Sequence, residues 1–294
     1  MFPIIPAASA ADSGNQEGIF GFGETHHYTN LVSNTGVVSA DVAGVGSSRQ
    51  KLAACEYGGD KGIFGFGNTG SVTAVTNLVS SSGVVATDVT GVGTARKGLA
   101  ACGYGDDKGI FGFGDTGSKV GMTNLVSNAG VVATDVTAVG TARHGPAATQ
   151  YGGDKGIFGF GDDGSVCDIT NLVSNAGVVA TDVTGVGTAR EYLAACSYGE
   201  DKGIFGFGIT GSNVGMTNLV SNAGVVATDV AAVGTARAYL AACEYGADKG
   251  IFGFGYDDSD NVSMTNLVSN VGVVSSDVAG VGTGRNSLAA CSFN

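Results

Sequence analysis

The sequence predicts an all-β fold, a six-bladed β-propeller of four-stranded antiparallel blades. The prediction rests on a repeated hexapeptide, a shared pattern of short β-type runs and complementary chain ends. The 294-residue chain contains Gly-Ile-Phe-Gly-Phe-Gly six times. The copies begin at Gly18, Gly62, Gly109, Gly156, Gly203 and Gly250. The step between copies is 44 and then four times 47 residues, which indicates a repeat architecture whose units stack on one another.

Each unit contains four short runs of β-forming residues separated by turn residues. In one unit the runs span residues 99–104, 109–114, 122–127 and 131–136. None has the length or the 3.6-residue spacing of a helix, and such runs are typical of antiparallel strands. Six radially arranged four-stranded sheets form a propeller. A β-solenoid usually has a shorter rung, and a two-sheet sandwich does not repeat at this period.

The two ends of the chain complement each other. The first hexapeptide lacks a preceding Leu-Ala-Ala-Cys run, and residues 288–294 supply one after the last unit. We therefore expect a single propeller domain, residues 17–294, whose ring is closed by N- and C-terminal strands sharing one blade. Residues 1–16 are apolar, but they lack a basic start and contain Pro3 and Pro6. We interpret them as a short arm and expect no signal peptide.

Read from its arginine, residues 96–114 run Arg-x-x-Leu-Ala-Ala-Cys-x-Tyr-Gly-x-Asp-Lys-Gly-Ile-Phe-Gly-Phe-Gly. This pattern resembles a divergent Kelch repeat, with Gly-Phe-Gly in place of adjacent glycines and without the usual tryptophan. More loosely, the near-identical units resemble propeller repeats predicted in proteins of aquatic bacteriophages. The Kelch resemblance implies that Leu-Ala-Ala-Cys is the innermost strand of each blade and Gly-Ile-Phe the second. Small residues suit the crowded centre of such a ring.

Charge and hydropathy argue against two classes of partner. The formal net charge is −12, and most of the 14 Lys and Arg residues are two repeated positions. No basic stripe can form, so we expect no nucleic acid partner. No apolar run approaches the roughly 18 residues of a membrane helix, so we expect no membrane insertion and no transmembrane segment.

Five of the six cysteines occupy one repeat position, and Thr149 takes that position in the remaining unit. These five are Cys55, Cys102, Cys196, Cys243 and Cys291. The interchange with threonine indicates a small buried side chain, so we expect free thiols and synthesis in a reducing cytoplasm.

Residues present in every unit are expected to serve the scaffold. Each unit has an arginine, such as Arg96, and an aspartate eight residues before it, such as Asp88. We interpret these residues as a structural Asp–Arg ion pair in each blade, or as side chains that hydrogen-bond to the backbone there. The alternative is a ring of six identical charges that binds one ligand.

Irregular positions fall in the loop after the hexapeptide and in the pair of residues after each arginine. In an alternating antiparallel blade both connections lie on one face, and the repeated turns lie on the other. Loops held by a rigid scaffold are common binding sites, and Kelch-type domains commonly bind partners through these two connections. The alternative is neutral drift in exposed loops. The predicted binding residues are Glu24, His26, His27, Tyr28, Lys51, Lys97, His144, Glu191, Tyr192, Tyr239, Tyr256 and Asp257.

Few residues suggest metal or catalytic chemistry. Asp257, Asp258 and Asp260 are weak candidates for Ca²⁺ ligands, and a solvated acidic turn is the favoured explanation. The three histidines do not form a zinc pattern, which needs three or four convergent ligands. Some Kelch-type propellers are copper oxidases, but here no pattern brings Tyr, His and Cys together. We therefore expect a non-enzymatic protein without a cofactor.

The most specific hypothesis is a rigid binding or structural propeller, virion-associated or used in extracellular adhesion to a receptor or glycan. A protein or glycan ligand would bind the variable-loop face, and the arm would dock the domain onto a virion or a neighbouring subunit. The alternative is an intracellular module that binds a protein or peptide.

Overall fold

A computed structural model describes residues 16–24 and 26–293, and all regular secondary structure in this part of the chain is β. The predicted arm therefore lies outside the described residues, apart from Gln16. Among the described residues no helix is long and apolar enough to cross a membrane.

Six repeated sheets each contain a first, a second and a third strand. The first strands are β3 (Ala53–Tyr57), β6 (Ala100–Tyr104), β9 (Ala147–Tyr151), β12 (Ala194–Tyr198), β15 (Ala241–Tyr245) and β18 (Ala289–Phe293). The second strands are β1 (Glu17–Gly21), β4 (Lys61–Gly65), β7 (Lys108–Gly112), β10 (Lys155–Asp162), β13 (Lys202–Gly206) and β16 (Lys249–Gly253). The third strands are β2 (Thr29–Val32), β5 (Thr76–Val79), β8 (Thr123–Val126), β11 (Val166–Val173), β14 (Thr217–Val220) and β17 (Thr265–Val268).

All pairings within the sheets are antiparallel, and the second strand lies in the middle of each. In β3-β4-β5, for example, Ile63 of β4 lies opposite Cys55 on one side and Leu78 on the other. The sheet at the chain ends has the order β18-β1-β2, with Glu17 opposite Phe293 and Gly21 opposite Ala289. The last strand of the chain thus completes the sheet that the first strand begins.

The predicted four-stranded sheet is wrong, because the fourth run forms no strand. After β2 it meets the sheet only at two isolated bridges, Val32 with Val38 and Thr29 with Val42. These bridges differ by one residue in register. Between them the buried Asn30 side chain donates to the Ser39 carbonyl oxygen (3.0 Å) and so interrupts the backbone ladder. We call these outer runs the rim segments: residues 37–45, 84–92, 131–139, 178–186, 225–233 and 273–281.

The predicted hexapeptide strand is also too long in most units. Strand β4 ends at Gly65, and the next two residues have left-handed backbone, with φ of +63° at Phe66 and +107° at Gly67. All six copies share this conformation. A side chain there costs about 1–2 kcal/mol, which the complete burial of Phe66 offsets. In the fourth unit β10 and β11 continue past this point and form a longer hairpin.

The core lies between neighbouring sheets. One buried cluster joins Cys55 and Ile63 of one unit to Leu99 and Phe111 of the next. An equivalent cluster joins the sixth unit to the first. A Cβ at Gly65 would lie 2.7 Å from the Phe111 ring, so this position in the strand requires glycine. The sequence period thus reflects one packing arrangement repeated between all neighbours.

The cysteines are free, as predicted. The cysteines of the repeat position are buried between sheets. A Cβ at Gly109 would lie 2.5 Å from the Cys55 sulfur, so the sulfur occupies the space beside this glycine. Burial raises the pKa of the Cys102 thiol to about 12, which makes the thiolate rare and the group unreactive. The thiols act here as small apolar side chains.

A buried arginine lies at each boundary between units, and at every boundary except that of Arg49 its Nε donates a hydrogen bond to the next unit. Arg190 lies 4.3 Å above the Phe160 ring, and its Nε donates to the Phe207 carbonyl oxygen at 2.8 Å. Its Nη2 donates to Asn218 Oδ1 at 2.6 Å, and its Nη1 lies 3.9 Å from Asp229 Oδ1. The aspartate partner therefore comes from the following unit, whereas we expected a pair within each blade. Arg285 makes the same contacts to Phe22 and Asn30 of the first unit.

Candidate functional site

Six residues, one after each Arg-x pair, form a closed ring of backbone hydrogen bonds that we call the mouth ring. Its members are Lys51, Gly98, Gly145, Tyr192, Tyr239 and Ser287. Each N–H donates to the carbonyl oxygen of the preceding member at 2.8–2.9 Å, and Lys51 N–H donates to Ser287. All six have φ between +50° and +65°. The backbone is therefore the same at every position while the side chains differ.

Directly beneath the mouth ring lies a layer of apolar side chains. It consists of Leu52, Leu99, Pro146, Leu193, Leu240 and Leu288, which enclose a cavity of about 70 Å³ with the ring above them. This layer separates the mouth ring from the space between the first strands. A ligand bound at the mouth ring would therefore contact this apolar layer.

The two variable regions predicted from the sequence, the loop after the hexapeptide and the residues after each arginine, meet at the mouth ring. Lys97 and Asp115 form an antiparallel bridge, as do His144 and Asp162. In each case the residue after the buried arginine pairs with the residue after the hexapeptide. This arrangement surrounds the mouth ring with side chains that differ from unit to unit.

Two tyrosines and a lysine cover part of the mouth. The Tyr192 and Tyr239 ring centroids are 4.2 Å apart. Lys51, from three units away, extends its Nζ to 4.9 Å from the Tyr192 ring centroid and 3.4 Å from the Tyr192 hydroxyl oxygen. Burial, and next the charge of Glu191, raises the pKa of Tyr192, so its hydroxyl stays protonated. Burial, and next the charge of Lys97, lowers the pKa of Lys51.

Beside the tyrosines lies an open polar hollow. Lys51, Lys97, Gly98, Asp115, His144 and Tyr192 line a cavity of about 200 Å³. Gly98 and Gly145 contribute no side chains to this half of the ring, and the Glu191 side chain lies beside Gly145. His144 Nε2 lies 3.2 Å from Glu191 Oε2, a distance suited to an ion pair but without hydrogen-bond alignment, and His144 Nδ1 has no partner. We call these residues, with Glu191 and Tyr239, the mouth site.

The mouth site holds two lysines without a direct ion pair, beside the carboxylates of Asp115 and Glu191, whose charges act on Lys51. The five repeated lysines, such as Lys108 with Asp107, are ion-paired at their own turns, and Lys119 is paired with Asp162. Within the described part of the chain Lys51 and Lys97 have no such ion pair. The two ammonium groups can bind an anionic ligand group, and the neighbouring carboxylates of Asp115 and Glu191 can accept hydrogen bonds from its hydroxyl groups.

The remaining predicted residues of the first unit lie away from the tyrosine pair. Glu24 accepts hydrogen bonds from Asn261 (2.8 Å) and Asn286 (2.6 Å), which join the first and last units. His26 stacks on Tyr28 with a centroid separation of 5.1 Å. The His27 Nδ1 atom lies 2.9 Å from the Ser48 hydroxyl oxygen. The histidine contacts hold the short first loop to its own unit, and the Glu24 hydrogen bonds hold it to the last one.

In the last variable loop Tyr256 occupies the position equivalent to Asp115, next to the mouth ring, whereas the acidic residues that follow it form a turn. Tyr256 forms a backbone bridge with Ala238. Asp257 Oδ1 accepts the backbone N–H groups of Ser259 and Asp260, at 3.0 and 2.9 Å, and so closes a turn. Asp258 and Asp260 are exposed. Across residues 16–24 and 26–293, no three His, Cys, Asp or Glu side chains gather as metal ligands.

The sequence prediction does not include a third variable position. It follows the cysteine in each first strand, five residues beyond the mouth ring or ~17 Å along a strand. Its occupants are Glu56, Gly103, Gln150, Ser197, Glu244 and Ser292, which together with the preceding Ala and Cys or Thr line one central space. Long polar and small residues alternate around this space. The expectation that variation gathers on one face is therefore incomplete, although comparing the six copies of Cys-x-Tyr reveals this position.

Glu244 is the most buried of the three long side chains in this set. Its Oε2 accepts a hydrogen bond of 2.8 Å from Ser197, and its backbone N–H donates to Ser292 Oγ at 2.9 Å. Burial, and next the charge of Glu56, raises the pKa of Glu244 to about 8. The residue is therefore mostly protonated at neutral pH.

No protein-family model matches the chain, and no curated protein matches it either. The geometry of the site and the sequence pattern are thus the basis for assigning a function.

Proposed function

We propose that the six sheets are the blades of a closed, Kelch-type β-propeller. The shared sheet of β18 and β1 supports closure, because it joins the two ends of the chain. The mouth ring supports it independently, since its hydrogen bonds return from Ser287 to Lys51. The buried clusters and arginine ties between the sixth and first units are equivalent to those elsewhere.

On this architecture we propose a non-enzymatic binding function, the recognition of a glycan that carries an acidic group. One observation carries the proposal: the tyrosine pair and the two available lysines meet at the mouth ring, where the repeated backbone bears different side chains. The flat faces of Tyr192 and Tyr239 suit the apolar face of a sugar ring. Lys51 and Lys97 suit a carboxylate or sulfate on the same sugar, and the polar edges of Asp115 and His144 suit hydroxyl groups.

The biological setting that we propose is adhesion, either on a virion or outside a cell. The looser bacteriophage likeness and the glycan-type mouth support this setting. In it the arm, residues 1–16, would dock the domain onto a virion or a neighbouring subunit. Mass spectrometry of material that co-purifies with the native protein distinguishes a particle-associated protein from an intracellular module that binds a protein or peptide.

A glycan array with the wild-type protein tests the recognition directly. We expect acidic glycans to bind and their neutral counterparts to bind weakly. The double variant Tyr192→Ala with Tyr239→Ala should lose at least about tenfold in affinity, roughly 1.4 kcal/mol, while its thermal unfolding remains cooperative. The matched control is Tyr28→Ala, which removes a half-buried tyrosine from the first-unit loop.

Two results would contradict the proposal. An array on which neither acidic nor neutral glycans bind above background rejects glycan recognition. If Tyr28→Ala abolishes binding and the double variant does not, the site lies at the first-unit loop. Preferential binding of acidic peptides would instead favour the intracellular module.

A further inference from the structure

A small apolar cavity lies beneath the mouth ring, and the glycan contacts proposed above leave it unused. Its volume is about 70 Å³, and it is enclosed by the mouth ring on one side and by the layer of leucines and Pro146 on the other. The polar hollow shares Lys51, Gly98 and Tyr192 with this cavity. A ligand held in the hollow is therefore adjacent to the cavity.

The mouth ring has an opening at Gly98, on the side that the tyrosines and the lysine do not cover. A Cβ at Gly98 would meet only the Gly145 nitrogen and the His144 side chain, at ordinary contact distances of 3.7 Å or more. The apolar layer below repeats in every unit, whereas this opening does not. The opening therefore belongs to the variable part of the site, where side chains can be adapted to a ligand.

The mouth ring is wide enough for a methyl group and too narrow for a sugar ring. Its six members are joined by backbone hydrogen bonds. Chain segments joined in this way lie about 5 Å apart, so each member of a regular ring of six is also about 5 Å from the axis. One carbon atom on the axis clears the usual carbon–carbon contact distance of about 3.5–4.0 Å, but a six-membered ring does not. A sugar therefore stays above the ring, and only a narrow substituent passes through it.

The passage and the cavity suit an apolar substituent. Each N–H group of the mouth ring already donates to the carbonyl oxygen of the preceding member, so the edge of the opening has no unpaired donor. Below it, the leucine and proline side chains offer a water molecule no hydrogen bonds, and a water in a cavity needs about two to four polar partners. Burial of a methyl group here is thus favourable.

We propose that this cavity binds an acetyl group carried by the acidic sugar, on nitrogen or on oxygen; the proposal rests on the glycan recognition proposed above. A volume of about 70 Å³ is about half of the ~150 Å³ that holds a benzene molecule, and it suits a group of about three heavy atoms. The acidic group of the same sugar contacts Lys51 and Lys97, and the sugar ring lies on Tyr192 and Tyr239. The mouth site thus selects a sugar with one acidic and one acetylated position.

Isothermal titration calorimetry with matched pairs of acidic glycans tests the inference. One pair is a glucuronic acid and its 2-acetamido derivative, which have the same charge, and a second pair differs by an O-acetyl ester. We expect the acetylated member of one pair to bind about fourfold tighter or more, the gain from burying one methyl group. Leu99→Phe, which fills the cavity from below, should bring the ratio of the two affinities close to one. The control Leu125→Phe, in the third strand of the same unit, should keep the wild-type ratio.

A second variant closes the cavity from above in case Leu99→Phe impairs folding, which thermal unfolding detects. Gly98→Leu places a side chain in the opening, and Lys51, Tyr192 and Tyr239 show that ring positions accept side chains with the same left-handed backbone. This variant should lower the affinity ratio in the same way.

Three outcomes would overturn the acetyl site. Equal affinities of the wild type for both members of each pair reject it and leave the recognition of acidic glycans in place. An affinity ratio that persists in both folded variants places the acetyl group outside the cavity. If no member of any pair binds, glycan recognition fails, and the acetyl site fails with it.

Discussion

Between neighbouring units the same side chains recur six times, whereas at the two ends of the first strands they differ from unit to unit. The interfaces repeat a buried arginine, the paired phenylalanines and a small residue such as Cys55. The ends carry Lys51, Gly98 or Tyr192 at the mouth ring and Glu56, Gly103 or Gln150 in the central space. The backbone is equivalent in both regions, so the difference lies in what the surroundings demand of the side chain.

The contrast shows why repetition in this sequence indicates structure. A position between units must fit the same cavity every time, and close packing leaves little choice of residue. A position at the mouth ring faces open space on one side, so its side chain can change without a loss of packing. The residues that differ between equivalent positions are therefore the ones that can be adapted to bind a ligand.

The largest expected effect comes from removing residues 288–294. This deletion takes away β18, including Cys291 and Phe293, which are buried between units, and exposes one side of β1. Loss of these apolar contacts and of the strand pairing should destabilise the chain by more than about 5 kcal/mol and abolish cooperative unfolding. Circular dichroism during heating measures it.

A deletion of residues 1–15 is the matched control, because it removes a longer stretch and leaves β18 in place. We expect this control to unfold cooperatively. If the chain without residues 288–294 kept its full melting temperature, the interface between the last and first units would not be equivalent to the others.

A smaller effect is expected from Arg190→Met. The substitution removes the donors to Phe207, Asn218 and the Thr188 carbonyl oxygen, and leaves their acceptors buried. Breaking a buried charged network of this kind costs about 3–5 kcal/mol, and urea unfolding measures the loss. The control Lys202→Met removes the solvent-exposed Lys202–Asp201 pair and should have little effect on stability, because water and salt screen an exposed ion pair. Equal losses in the two variants would contradict a special role for the interface arginine.

The sequence predicts the units, their order and the pairing of strands from the two chain ends, because each of these depends on local pattern and period. It did not reveal that the Asn30 side chain interrupts the outer ladder, since this depends on a hydrogen bond across the hairpin. The aspartate eight residues before each arginine suggested a pair within the unit. Stacking instead brings Asp229 of the next unit to Arg190, which spacing along the chain cannot show.

The mouth was anticipated in part. Their variation between units predicts a binding role for Lys51, Lys97, His144, Glu191, Tyr192 and Tyr239, and the structure brings these residues together around one ring. Asp115 also lines the hollow, although the sequence prediction includes only Glu24 and Tyr256 at this position of the loop. His26, His27 and Tyr28 vary as well, yet they fold back on the first unit. Variation between units identifies positions that the packing of the units does not constrain. Only the geometry of the ring shows which of these variable residues lie close together.

The smallest of these stability effects concerns the central space, where Glu244→Gln should change how stability depends on pH. Burial and the nearby Glu56 raise the pKa of Glu244 to about 8 from a reference of 4.5, with smaller contributions from Asp248 and Glu200. The folded state therefore binds more protons than the unfolded state between these values. The stabilisation from protonated Glu244 is complete below about pH 4.5 and is lost as the pH rises through about 8.

Glutamine keeps the shape of the protonated side chain and cannot ionise. The wild type should thus lose about 2–4 kcal/mol relative to Glu244→Gln between pH 5 and pH 8, at ~1.4 kcal/mol per pKa unit. Urea unfolding at a series of pH values measures this loss, and Glu200→Gln, the same change on an exposed turn, should leave the slope nearly unchanged. Parallel pH profiles for the wild type and Glu244→Gln would mean that Glu244 is as well solvated as Glu200. The central space would then impose no constraint on the residue that follows each cysteine, and its alternation of long and small side chains would reflect drift.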